Sequence, residues 1–146
     1  MRDPLLVIDR TVDLEVAPDE LWRLISTADG WRSWLVDEAQ LERDGVGALV
    51  GGAVTDHDVV KLVRVDEIRE GRSIAFTWWN PHPSDRVPAG VSKVVLEIVD
   101  NGDGTSRLQI TEQLRSAPGV VNQTTRNAWE VRVCSLWACT VAAALV

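Results

Sequence analysis

The stretch NAWEVRVCSLWACTVAAALV, from Asn127 to Val146, carries no charged side chain after Arg132. Where so apolar a segment goes decides the fold: into a membrane, onto a partner, or into the protein's own interior. The run from Val133 to Val146 is 14 residues, short of the roughly 20 that a helix needs to span a bilayer. No membrane span is expected. With "SAPGV" as the break before it, Thr124 to Leu145 reads as one long helix. At about 100° per residue, Trp129, Val133, Leu136, Trp137, Thr140 and Ala144 share one stripe and are expected to face inward. Val131, Cys134, Ala138, Ala142 and Leu145 adjoin it, and Arg132, Ser135, Cys139 and Ala143 form a narrow remainder of mostly small side chains. A helix apolar over more than half its circumference is either wrapped by a strongly curved sheet or partly covered by a second subunit. The wrapped arrangement is the first expectation. Homodimerisation through the exposed flank is the alternative.

The composition suits a single domain over residues 1–146. Hydrophobic residues make up 45% of the 146 and charged residues 25%, the balance of a globular chain that buries roughly two thirds of its unfolded surface. Acidic side chains outnumber basic ones 22 to 15, for a net charge of −7. The basic residues are scattered, so no phosphate-binding footprint exists and nucleic acid is not an expected partner. Cys134 and Cys139 lie five apart on the helix and point about 140° from each other, too divergent to bridge. A reducing, cytoplasmic setting is expected. The opening "MRDPLLVIDRTVD" alternates with charge and does not read as a secretory signal.

Period-two alternation marks the first strand, with Leu6, Ile8, Val12, Leu14 and Val16 on one face and Asp9, Thr11, Asp13 and Glu15 on the other. In "APDELWRLIS", Pro18 stands in a first helical turn, Asp19 and Glu20 follow, and Leu21, Trp22, Leu24 and Ile25 cover one side. "TADGWRSWL" stops that helix at Gly30 and starts a second short turn carrying Trp31 and Trp34. Turn signals such as "REGR" and "DNGDGT" then separate β-rich runs. Six strands are expected near residues 36–43, 48–55, 59–68, 73–80, 91–99 and 106–114, in an antiparallel meander.

Taken together, "VAPDELWRLI", Trp34 closing the helical elbow, "IAFTWWNP", "GDGTSRLQITEQ" and the final helix resemble the START-like (SRPBCC, helix-grip) superfamily. Within it the chain is similar to the bacterial activator of heat-shock-protein-90 ATPase homologue-like group, over about residues 6–146. The resemblance implies an α+β helix-grip fold: a seven-stranded curved antiparallel sheet around the C-terminal helix, two short helices after strand 1, and a cavity between sheet and helix.

Strand parity supplies the expected lining of that cavity. Ile74, Phe76 and Trp78 share a face, as do Val94, Leu96 and Ile98, and then Leu108, Ile110 and Leu114. Facing Trp129, Val133, Leu136 and Trp137, they make either a chamber for a hydrophobic small molecule or simply a filled core. Two charges break the inward pattern: Arg10 with Ile8 and Val12, and Glu112 with Ile110 and Leu114. Because the helix grip makes the first and last strands neighbours, an internal Arg10–Glu112 pair is expected, fixing strand pairing or orienting a ligand.

Catalytic and metal signals are weak. His57 in "TDHDV" and His82 in "NPHPSD" read as turn-tip and loop residues, His82 near the expected cavity mouth. No metal or cofactor is expected, and the glycines of "GVGALVGG" lack the Lys and helix start of a phosphate loop. Binding of a lipid, polyketide or aromatic molecule is therefore the leading function. The alternatives are a cyclase- or dehydratase-like enzyme using Glu112 and His82, which the resemblance allows, and a chaperone ATPase-activator-like interaction protein.

Overall fold

A computed structural model of the chain describes residues 5–52, 59–82, 90–115 and 122–144. Strand β1 (Leu5–Leu14) leads into helices α1 (Pro18–Ser26) and α2 (Ala28–Trp34), and these into β2 (Glu38–Gln40) and β3 (Val46–Val50). Strands β4 (Val60–Arg69), β5 (Ser73–Trp79), β6 (Val91–Asp100) and β7 (Ser106–Arg115) follow, and α3 (Asn122–Ala144) ends the described chain. Every pairing is antiparallel, in the order β1-β7-β6-β5-β4-β3-β2. The meander thus closes by bringing β1 beside β7, with Ile8 opposite Glu112 and Arg10 opposite Ile110.

Alternation dictates which face meets the helices. Along β5, Ile74, Phe76 and Trp78 are buried, and on β6 so are Val94, Leu96 and Ile98, while their odd-numbered neighbours are more open. The register slips between Val65 and Glu67 where β4 pairs with β5. Such a bulge bends its strand and adds twist, which helps the sheet curve about α3. The extra residue, Asp66, turns outward and accepts hydrogen bonds from Arg64 Nε at 2.9 Å and Thr77 Oγ1 at 2.6 Å.

Three expected boundaries move. The first strand stops at Leu14 instead of Val16, β2 is three residues long, and β3 begins at Val46 and ends before Gly51, whose φ of 68° leaves the extended region. The far end of the expected 48–55 strand, and His57 beyond it, lie outside the described residues.

The elbow between α1 and α2 is held by its tryptophans. A helix leaves its last carbonyls without partners, and here Trp34 Nε1 donates to Leu24 O at 2.8 Å and Trp31 Nε1 to Ile25 O at 2.6 Å. Thr27 Oγ1 caps α2 by accepting from Gly30 N at 2.9 Å. Gly30 itself sits where the helices touch: a Cβ there would fall onto the Arg23 carbonyl oxygen and within 2.6 Å of Leu24 Cα. Backbone cannot yield as a flexible side chain does. Gly30→Ala is expected to destabilise the protein by about 2 kcal/mol or more, read as a lower urea midpoint with an unchanged slope; an unaltered midpoint would show that the elbow is looser than described.

Candidate functional site

Among the described residues one carboxylate is buried on the concave face of the sheet. Glu112 on β7 is 3% exposed, between Ile8 on β1 and Val94 on β6. Its two oxygens accept from two indoles, Oε2 from Trp78 Nε1 on β5 at 3.0 Å and Oε1 from Trp129 Nε1 on α3 at 2.8 Å. The rings lie nearly parallel, 23° apart with centroids 6.3 Å apart. The aromatic contact continues from Trp78 to Phe76 at 5.2 Å and on to Trp31 of the elbow at 4.7 Å.

Two cations rest on these rings. Arg132, one turn beyond Trp129 on α3, is 7% exposed and places its guanidinium carbon 4.7 Å from the Trp129 ring and 5.1 Å from the Trp78 ring. Lys61 on β4 shares the parity of buried Val63, and its Nζ lies 4.0 Å from the Trp78 centroid. Burial lowers the Lys61 ammonium to about 7, with the like charge of Arg132 adding to the effect and Glu112 opposing it. Burial also pulls Arg132 below its ordinary value against the attraction of Glu112, yet a guanidinium keeps its proton at any physiological pH.

Lys61, Arg132 and Trp78 line a pocket completed by Leu35, Val36, Leu49, Gly51, Gly52 and Val59. Its free volume is about 20 Å³, room for about one water molecule. Of the residues expected to line a chamber, Trp78 borders this space; Ile74, Phe76, Leu96, Ile110, Trp129, Val133 and Leu136 are buried in the core around it. Among the described residues these side chains pack together between sheet and helix, and the small space lies at the β3–β4 end.

Two expectations are corrected. Trp137 is 55% exposed and borders an open groove with Asp13, Glu15, Asp103 and Arg107, whereas Arg132, expected in the outward remainder, is inside. The helix carries apolar residues nearly all round, so hydrophobicity leaves its rotation undecided; the Trp129 N–H aimed at Glu112 settles it. Arg10 keeps its helix-facing parity but bonds Glu130 of α3, Nε to Oε1 at 2.7 Å, both side chains partly exposed. Arg10 is thus paired with Glu130 and Glu112 with two indoles, and the two residues make no ion pair with each other. His82 is exposed and does not border the pocket.

Sheet order, elbow and enclosed final helix define a START-like helix-grip protein. The family model for "Activator of Hsp90 ATPase homolog 1-like protein" matches residues 15–138, and the chain belongs to that family. Among solved structures, a START superfamily protein from Mycobacterium smegmatis superposes with a TM-score of 0.73 at 13% identity, covering 93% of this chain and 97% of that one. Mll3558 from Rhizobium loti gives 0.70 at 20% identity, with coverage of 93% and 99%. DynU16, from the dynemicin biosynthetic locus, gives 0.68 at 14% identity over 90% of this chain and 46% of its own. No curated protein sequence is significantly similar to the chain. Among the described residues no helix is long and apolar enough to cross a membrane, and no three His, Cys, Asp or Glu side chains are grouped to hold a metal.

Removing the carboxylate should cost more than neutralising it. Glu112→Gln turns an amide N–H toward one indole donor and is expected to lose about 1–3 kcal/mol. Glu112→Leu strands both indoles beside two cations and should lose about 3–5 kcal/mol; equal midpoints for the two variants in urea would contradict the bridging role. Lys61 adds a pH dependence. Folded, it releases near pH 7 a proton that the unfolded chain keeps to about 10.4, so stability rises with pH between those values and the cost of the charged amine is fully present below about 7. Denaturation at about pH 7 and 9.5 should show a gain on the order of 1–3 kcal/mol in wild type that Lys61→Met abolishes; the same gain in both proteins would assign it to other groups.

Proposed function

We propose that this protein binds a small amphipathic molecule between the sheet and α3, admitted where Gly51, Gly52 and Val59 border the pocket. The observation that carries the reading is the composition of that pocket: an indole floor at Trp78, aliphatic walls from Leu35, Val36 and Leu49, and two polar heads at one end. Ligand sites commonly combine mostly apolar lining with a few placed polar groups. A core built only for stability has little use for Lys61 and Arg132, since buried charges cost several kcal/mol unless matched. Lys61 is partly exposed on a long flexible stem, so its head can shift to make room for a ligand bigger than water while still facing it. The family and the helix-grip fold are compatible with this use. Of the two groups that an acid–base reaction would draw on, Glu112 is taken up by two indoles and His82 stands outside the pocket, so binding is the reading the geometry favours.

Titrating the purified protein with fatty acids, aromatic acids and polycyclic polyketides, while following tryptophan fluorescence and melting temperature, tests this. A true ligand at about 100 times its Kd adds about 2.7 kcal/mol of stability, a rise of roughly 5–11 °C for a domain of this size, and should perturb emission in wild type more than in Trp78→Phe. No shift from any compound at millimolar concentration would contradict the proposal.

A further inference from the structure

Among the described residues the charges inside the grip do not balance. Glu112 contributes one negative charge, and both of its oxygens already accept indole N–H groups. Against it stand Arg132 and Lys61, and among the described residues neither makes a hydrogen bond or an ion pair. Ring faces stabilise a cation but accept none of the N–H donors in the guanidinium plane. Arg132 is more than nine-tenths buried and borders the pocket together with Lys61, and the other described lining residues carry no charge. Among the described residues this guanidinium, beside a second cation, has no anion facing it with acceptor oxygens.

We propose that Lys61 and Arg132 together hold the acidic group of the ligand, so that the molecule taken up is an amphipathic monoanion, an apolar ring- or chain-bearing body with one carboxylate or equivalent oxyanion. This rests on the reading above that the pocket holds a small molecule, and adds its chemical class. The planar guanidinium offers paired N–H donors to such a group, and the lysine a point charge. Trp78 lies beneath both cations, placing the ligand's apolar body against Leu35, Val36 and Leu49. Bound anion would supply the missing countercharge and hold Lys61 in its protonated form. The groups acting on Lys61 from the packed elements are Arg132 of α3 and Glu112 of β7; with the amine free of ligand losing its proton near pH 7, anion affinity should fall as pH rises through that value.

The experiment compares two fluorescent probes that differ by one sulfonate: 8-anilinonaphthalene-1-sulfonate and its uncharged parent N-phenyl-1-naphthylamine. Wild type at about pH 6 should bind the sulfonate at least about tenfold more tightly, and that preference should shrink severalfold by about pH 8.5. Lys61→Met should bring the two affinities within about threefold by weakening the sulfonate alone, and Lys61→Arg should keep the preference while removing its pH dependence. Circular dichroism of each variant confirms the fold, and the lysine series decides the matter even if Arg132→Met does not fold. Equal affinity for the two probes in wild type, or a preference that survives in Lys61→Met, overturns the anion assignment and leaves small-molecule binding standing. Failure of wild type to bind either probe overturns both.

Discussion

A carboxylate enclosed by the sheet must find donors, and Glu112 finds them on opposite sides of the interior, one indole on β5 and one on α3. That requirement does what hydrophobicity cannot do for this helix. Apolar burial is non-directional, and α3 offers apolar side chains at almost every angle, so many rotations would bury similar area. A hydrogen bond from Trp129 to a fixed acceptor admits one rotation. With it set, Val133, Leu136 and Thr140 follow Trp129 into the interior, Arg132 is drawn over the same rings, and Trp137 is left on the flank. The site and the fold thus share one determinant.

Tryptophan is the material of both. Trp31 and Trp34 complete the carbonyl end of α1, Trp78 and Trp129 complete Glu112, and the ring contacts from Trp31 through Phe76 to Trp78 and Trp129 join elbow, sheet and helix in one continuous aromatic layer. Each ring buries a large area while its single N–H demands a directed partner. The chain has seven tryptophans and no tyrosine, consistent with donors being needed where acceptors have been enclosed. The same rings carry the two cations on their faces, so the polar end of the pocket is a by-product of the layer that stabilises the protein.

Much of the architecture was legible because period two is a strong signal. It placed Ile74, Phe76 and Trp78 on the buried face, and it marked Glu112 as an inward charge. Parity states which face a side chain takes, but not which neighbour it meets. Arg10 faces the helix as expected and reaches Glu130, while Glu112 accepts from the two indoles. Lys61 carried the same signal, a charge in step with Val63 and Val65, and the ring that receives it, Trp78, lies on the neighbouring strand. Arg132 follows Trp129 by one turn, a spacing that places both on one side of a helix; its charge argued for the surface, and only the rings that receive it explain its burial. Whether the lining residues enclose a chamber or fill a core was left open by alternation, because it is a matter of side-chain volumes that parity does not encode.

The bridging carboxylate is tested most directly by the indole N–H resonances of protein labelled with ¹⁵N-tryptophan, assigned by single Trp→Phe replacements. The protons of Trp78 and Trp129 should lie downfield of the group and exchange with solvent only on global unfolding, while that of Trp137, in the same spectrum, exchanges rapidly. Exchange of the Trp129 proton as fast as that of Trp137 would mean that Glu112 does not join helix to sheet.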